Sequence, residues 1–170
     1  MAVRPSLSRG RALVGATLLA AGLAACDPPP PPVVLVVDLL GEQSDPVPGD
    51  GICGDPAATG PACTFVAAVQ EANASRVDVI EMKKGGVFSL TVPAVTIDPV
   101  APTLLIRPPA GVPSSGISAL AGGRLTVAGG TVGFSRVDLS WGVTLDVAAG
   151  AGAVLVESQT GPTEVDGALL

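Results

Sequence analysis

Two stretches in the second half of the chain, GRLTVAGG at residues 123–130 and GVTLDVAAG at residues 142–150, follow one pattern. Each alternates apolar and polar residues and then ends in a turn of small residues. Alternation with a period of two is typical of a β-strand with one buried face. Leu105, Leu125 and Leu145 also recur at an equal spacing, which indicates a repeating unit of strand and turn.

Short β-rich runs, separated by Gly, Pro and Asp, continue this pattern from residue 77 onward. The predicted strands are residues 77–80, 87–92, 103–106, 124–127, 132–134, 143–147 and 153–156. Repeats of about 20–25 residues suit a β-solenoid, in which each coil buries its apolar face against its neighbours. We therefore predict an all-β fold, a short solenoid of about three to four coils. An antiparallel β-sandwich stays open as the alternative, because the same strands could form one.

Composition excludes several classes of function. The chain has 170 residues, room for one domain, with 9 basic and 15 acidic residues and no His. Without His it can form no Ser-His-Asp triad and no imidazole metal site. A net charge of -6 and only four aromatic residues make it a poor binder of nucleic acid. We predict neither a cofactor nor a nucleic-acid partner.

Residues 1–25 have the features of an export signal. Arg4, Arg9 and Arg11 precede an apolar run over residues 12–21. This run is shorter than the roughly 20 residues that a membrane-spanning helix needs. A basic start, a short apolar stretch and small residues at the end together indicate a secretory signal.

The signal ends in LAAC at residues 23–26, which resembles a bacterial lipobox. The resemblance implies that residues 1–25 are removed and that Cys26 becomes a lipidated N-terminus. Removal lowers the basic residues from 9 to 6 against 15 acidic residues, so the net charge becomes -9. Residues 26–32 would then form an anchor and a Pro-rich spacer. The alternative is an ordinary signal peptide with an incidental cysteine.

Two further cysteines, Cys53 and Cys63, remain once Cys26 is assigned to the lipid. An even pair in an exported, oxidising environment favours a disulfide, worth roughly 2–3 kcal/mol by loop entropy. The alternative is a pair of metal ligands, but the chain offers neither His nor a second CxxC.

The region between these cysteines and the first strands carries a family resemblance. It contains PGDGIC at 48–53, CTFVAAVQEANA at 63–74, DVIE at 78–81 and GGVFSL at 85–90. These motifs resemble the CSLREA domain, an N-terminal module of secreted bacterial right-handed β-helix proteins. The resemblance implies a right-handed parallel β-helix whose open end is covered by an N-terminal capping helix.

The helix is predicted over residues 64–73. Thr64 is a plausible N-cap. Four apolar residues share one face at the spacing i, i+3, i+4 and i+7: Phe65, Ala68, Val69 and Ala72. Gln70, Glu71 and Asn73 fall on the other faces. The predicted domains are therefore residues 33–76 as the CSLREA-like region and residues 77–170 as β-helix coils. That the last coil belongs to a longer, truncated solenoid is left as an alternative.

Three residues depart from the family pattern. Phe65 replaces Leu, and Phe88 replaces Tyr with the loss of a hydroxyl. Val66 stands where the family has Arg, and Val lacks the planar fork of donors that Arg presents. A partner-binding role of that Arg would therefore be lost here.

Three aspartates, Asp45, Asp50 and Asp55, are weak candidates for calcium binding. Hard cations prefer carboxylate oxygens. No DxDxDG loop is present, however, and Asp-Pro and Gly-Asp-Gly are common in turns. A solvated turn is the preferred interpretation.

The predicted function is a non-catalytic, surface-anchored β-helix module with a structural, adhesion or interaction role at the bacterial cell envelope. Its partners would be a membrane, through the lipid, and a protein or polysaccharide at the cell surface. A polysaccharide-degrading enzyme is one alternative, and its candidate residues are Arg124, Arg136, Asp138, Asp146 and Lys83 or Lys84. Carbohydrate binding at Trp141, the single Trp, is another.

Overall fold

The computed structural model describes residues 28–54, 62–83, 86–119, 122–140, 142–158 and 165–166. The chain divides into two compact units, Met1–Pro30 and Pro31–Leu170. Only the exposed prolines 28–30 of the first unit are described. The predictions for residues 1–25 and for Cys26, Asp55, Lys84 and Trp141 lie outside the described residues.

The described part of the second unit is mostly strands, with one helix, α1, at Phe65–Ala74. The strands are β1 Val34–Val37, β2 Val79–Met82, β3 Val87–Leu90, β4 Ala94–Ile97, β5 Thr103–Arg107, β6 Ser115–Ala119, β7 Arg124–Val127, β8 Thr131–Ser135, β9 Val137–Ser140, β10 Thr144–Val147, β11 Gly152–Val156 and β12 Val165–Asp166.

The strands form three parallel sheets, in which neighbours are mostly three apart in chain order. The sheet orders are β1-β2-β5-β8-β11, β4-β7-β10-β12 and β3-β6-β9. All strand pairs among the described residues are parallel. The all-β prediction is thereby confirmed at the level of parallel sheets, and the antiparallel sandwich is wrong.

Buried apolar side chains stack in register along each sheet. The stacks are Val95, Leu125 and Leu145; Ile80, Ile106 and Phe134; and Phe88, Ile117 and Leu139. Strands such as β5, β7 and β8 alternate buried and more exposed positions, and the buried side chains of the three sheets form a single core. The close packing of these stacks is the main source of stability.

The repeat predicted from the equally spaced leucines is only partly right. Leu125 and Leu145 are direct neighbours in register. Leu105, however, lies in a different sheet, where it is paired with Gly133. In the β7 sheet, the partner of Leu125 on the preceding strand is Val95, which lies further back in the chain than Leu105. The coil from Val95 to Leu125 is longer than the coil from Leu125 to Leu145. The equal spacing of Leu105 from Leu125 is therefore a coincidence.

Several strands were missed by the sequence analysis: β1, β4, β6, β9 and β12. The β4 sequence AVTI is short and lies between Pro93 and Pro99, which are typical of turns, and β6 reads SGISA, with a single large apolar residue. Arg136 adopts a positive φ of 55° between β8 and β9. This bend moves the chain from one sheet to the next, so Arg136 and Asp138 do not lie in one continuous strand.

We predict that Leu125→Ala lowers the free energy of unfolding by about 2–5 kcal/mol, since it leaves a cavity in the middle of a buried stack. The matched control is Leu40→Ala, because Leu40 is 45% exposed and should lose less than about 0.5 kcal/mol. Urea unfolding measures both variants. Equal losses for the two leucines would contradict the stacked core.

Candidate functional site

The candidate site is the loop–helix junction, which we define as residues 43–54 together with α1. Its centre is the carboxylate of Glu71, which is fully buried. Glu71 Oε1 accepts hydrogen bonds from the Gly51 N–H at 2.8 Å and the Ser75 hydroxyl at 2.6 Å. Glu71 Oε2 accepts a further hydrogen bond from the Gly49 N–H. One acid therefore joins the loop to the end of the helix.

Glycine is needed at both loop positions. Gly49 has a φ of 98° and Gly51 a φ of 83°, a region of backbone space that L-residues with a Cβ rarely adopt. These conformations let the two N–H groups donate to the same carboxylate. The PGDG motif thus binds a side chain of its own protein.

Burial raises the pKa of Glu71, but the hydrogen bonds from Ser75, Gly49 and Gly51 lower it further than burial raises it. The pKa therefore lies below its usual value, and the group is ionised at neutral pH. The sequence analysis placed Glu71 away from the buried face, which is wrong. The 43–54 loop covers the side of α1 that the helical periodicity predicted to face solvent.

The start of α1 agrees with the prediction. The Thr64 hydroxyl accepts a hydrogen bond from the Ala67 N–H at 3.1 Å and donates one to the carbonyl of Gln43. Thr64 is thus the N-cap, and it also fastens the loop to the helix. Gln70 adds a second link, since its side-chain oxygen accepts a hydrogen bond from the Asp45 N–H at 2.7 Å.

Asn73, near the end of α1, binds the edge of β4. Its amide group donates to the Thr96 carbonyl at 2.8 Å and its oxygen accepts from the Asp98 N–H at 2.8 Å. These two bonds are the kind that a neighbouring strand would provide, because one group belongs to the backbone of β4 and the other to the residue directly after it. The side chain therefore occupies part of an otherwise open sheet edge.

Cys53 and Cys63 form a disulfide with Cα atoms 5.0 Å apart, as the sequence analysis predicted. The bond connects the end of the glycine loop to the residue before the N-cap. The carbonyl of Cys63 also accepts hydrogen bonds from the N–H groups of Asp38 and Leu39, at 3.0 and 3.1 Å. The disulfide region is thereby attached to the chain just after β1.

The aspartates considered for calcium have other contacts. The buried Asp45 accepts hydrogen bonds from the N–H of Val47, at 2.9 Å, and of Gly54, at 3.5 Å. Asp50 accepts one from Ile52 at 2.8 Å, which is a typical turn contact. Among the described residues, no group of three or more His, Cys, Asp or Glu could hold a metal ion. Asp55 lies outside them.

Val66, which stands where the CSLREA pattern has Arg, is buried and borders a small pocket between α1 and β4. The pocket measures about 320 Å³ and is lined by Ser44, Val66, Val69, Gln70, Val92, Ala94, Val95 and Thr96. None of these described side chains is charged. Val66 therefore contributes apolar contact where the family residue would bring donors, and Phe88 is likewise buried in the core.

The structure brings together two of the residues considered for polysaccharide cleavage, and it gives two others separate positions. Arg124 makes an ion pair with Asp146 at 2.7 Å. Arg136 donates to the carbonyls of Val112 and Pro108, and so holds the loop before β6. Lys83 is exposed just after β2. Arg124 is thus paired with another candidate residue, whereas the side chain of Arg136 is bonded to backbone carbonyls.

Comparisons of the chain with family models, with curated proteins and with solved structures gave no match. The similarity to CSLREA modules is therefore carried by the motif residues alone. The described residues include no helix with the length and apolar character to cross a membrane.

We predict that Glu71→Gln lowers the free energy of unfolding by about 1–3 kcal/mol. The glutamine NH₂ would face an N–H donor at Gly49 or Gly51, so one buried donor would lose its acceptor. Asp50→Asn is the matched control, because its side-chain oxygen can still accept from Ile52. Urea unfolding should separate the two variants, and equal stability losses would contradict the role of the Glu71 charge.

The stability of the protein should also fall in acid. Because the folded pKa of Glu71 is depressed, its contribution is fully present above the usual value of 4.5 and is lost as the pH falls below it. Glu42 acts in the same direction: burial raises its pKa, but hydrogen bonds from Thr91 and Val92 lower it more. Urea midpoints measured between about pH 7 and pH 3 should decline less steeply in Glu71→Gln. Parallel pH curves would contradict the depressed pKa.

Proposed function

We propose that this chain is a lipid-anchored, non-catalytic module of the bacterial cell envelope, built as a right-handed parallel β-helix of the CSLREA type. Its role is structural or interactive. The observation that carries the proposal is the order of the strands, in which each sheet takes mostly every third strand and all described pairs are parallel.

Such an order arises when the chain winds repeatedly in one direction and leaves one strand in each of three sheets per coil. Parallel strands joined by crossovers are right-handed in almost all proteins. Stacked coils bury in their neighbours what a single coil cannot bury alone. The in-register stacks of Leu125 with Leu145, and of Ile106 with Phe134, support this interpretation.

The capping role of α1 is supported by its position. It contacts β4, β1 and β2, and its Asn73 binds the backbone edge of β4, the terminal strand of its sheet, whereas the outer edge of β1 stays open. Open sheet edges invite pairing with other chains, so proteins commonly cover them. Asn73 binds the helix to the backbone at β4, and Glu71 binds the helix to the glycine loop. Their polar groups are used inside the module, which favours a structural role over catalysis.

The anchor rests on the LAAC sequence at residues 23–26. A diacylated Cys26 would hold the chain at a membrane through buried methylenes, at about 0.8 kcal/mol each. The five prolines at 28–32 would keep an acidic module, with a net charge of -9, at a distance from anionic headgroups. The lipid would attach the chain to the membrane, and the prolines would hold the solenoid away from it. This arrangement suits a surface module that binds a partner through its solenoid.

The anchor is tested by membrane fractionation and by the mass of the tryptic fragment that begins at Cys26. We expect this fragment to carry a diacylglycerol and an acyl chain, and Cys26→Ser to move the protein from the membrane to the soluble fraction. The control is the double variant Cys53→Ser/Cys63→Ser, which should remain in the membrane. An unmodified fragment, or a Cys26→Ser variant that stays membrane-bound, would overturn the proposal.

A further inference from the structure

The strand β1 ends the five-stranded sheet, and one of its edges is open. Among the described residues it pairs only with β2. The Val79 N–H donates to the Val33 carbonyl at 3.0 Å, and the Lys83 N–H donates to the Val37 carbonyl at 2.9 Å. Successive residues of a strand direct their backbone groups to opposite edges. The N–H and C=O groups of Val34 and Val36 therefore point away from β2.

These two residues are also exposed on the outer face of the sheet. Val34 is 42% and Val36 is 40% exposed, whereas Leu35 and Val37 point into the core. No described group forms a hydrogen bond with the outward backbone atoms of Val34 or Val36. An apolar strand with unpaired N–H and C=O groups is a template for pairing with another chain.

We propose that β1 pairs in antiparallel fashion with β1 of a second copy of this chain, across a two-fold axis through Leu35. The pairing would join two five-stranded sheets into one continuous sheet. The inference rests on the proposed lipid anchor, which supplies the local concentration that a short interface needs.

The register follows from which residues face outward. With Leu35 on the axis, Val34 of one copy lies opposite Val36 of the other, and each such pair exchanges two N–H···O=C bonds. Two equivalent pairs give four hydrogen bonds. Valine lies opposite valine on the outer face, and β1 carries no charge, so no like charges meet directly across the strands.

The structure limits the pairing at both ends of β1. The prolines at 28–32 lack N–H groups and cannot extend the ladder upstream. Downstream, the N–H groups of Asp38 and Leu39 are already bonded to Cys63. The contact is therefore confined to residues 33–37. Five residues bury far less accessible surface than the roughly 800 Å² per partner of a stable dimer.

A lipid anchor would compensate for the small contact area, because it raises the local concentration of the two copies. The seven residues 27–33 between Cys26 and β1 would reach about 22 Å if extended at about 3.1 Å per residue. Anchored copies would carry their β1 edges in one thin layer above the membrane, where the effective concentration is high. The acidic charge of the chain opposes the approach of two copies, so salt should strengthen the pairing.

Cysteine cross-linking tests the register directly. Lipidated Val34→Cys and Val36→Cys chains are mixed in vesicles of phosphatidylethanolamine and phosphatidylglycerol and then oxidised. Opposite residues would have Cα atoms about 5.5 Å apart, within disulfide range, whereas two copies of Val34→Cys would be about 8 Å apart. The control is Val87→Cys, because Val87 is 56% exposed on a different sheet.

We expect the mixed sample to give about ten times more cross-linked dimer than either single variant or the Val87→Cys control. Val34→Cys/Val36→Lys chains mixed with Val36→Cys/Val34→Lys chains keep the cysteine pair but place Lys opposite Lys, so they should not cross-link. Adding Val87→Lys to the two cysteine chains should leave the cross-link intact. All of these Lys variants should keep the unfolding midpoint of the parent, since the replaced side chains are exposed. Equal yields in all samples, or cross-links to a different protein in native membranes, would overturn the pairing.

The same cross-linking with soluble Cys26→Ser chains, at high protein and salt concentration, separates this inference from the anchor. A cross-link between positions 34 and 36 there supports the pairing even if the anchor is disproved. Its absence at the highest concentration, together with an unlipidated native chain, would overturn both proposals.

Discussion

The hydrogen bonds to the buried carboxylate of Glu71 are the interaction on which the N-terminal part of this molecule depends. A buried charge is strongly unfavourable unless donors surround it. Here two glycine N–H groups and one serine hydroxyl converge on a single side chain. If the loop left the helix, the Glu71 carboxylate would lose its hydrogen-bond donors or become exposed to solvent. This constraint explains why the glycines of the loop and the acid of the helix occur together.

The fixed helix in turn determines how the sheets end. Along β4, Asn73 replaces the hydrogen bonds of a missing neighbour strand. Just after β3, Glu42 accepts hydrogen bonds from the N–H groups of Thr91 and Val92. The outer edge of β1 has no such side chain among the described residues. Polar side chains of the N-terminal region thus bind the backbone at β4 and just after β3, whereas β1 presents exposed valines.

Local patterns in the sequence predicted the elements whose signals are local. The N-cap at Thr64, the helix and the strand at 124–127 all depend on neighbouring residues, and the structure confirms them. The strand β6 and the burial of Glu71 could not be predicted in the same way. The small residues of β6 are buried by neighbouring strands, and Glu71 is buried by a loop that comes well before it in the chain. For the burial of Glu71, the available signal in the sequence was a PGDG motif that precedes a helix with an acidic residue.

The central claim is that an ionised Glu71 binds the glycine loop, and a carboxyl titration followed by NMR tests it most directly. The side-chain carbon of Glu71 and the amide protons of Gly49 and Gly51 would be followed as the pH is lowered. The account predicts one shared midpoint below the usual value of 4.5. A midpoint at or above that value, or glycine amides that do not change with Glu71, would contradict it.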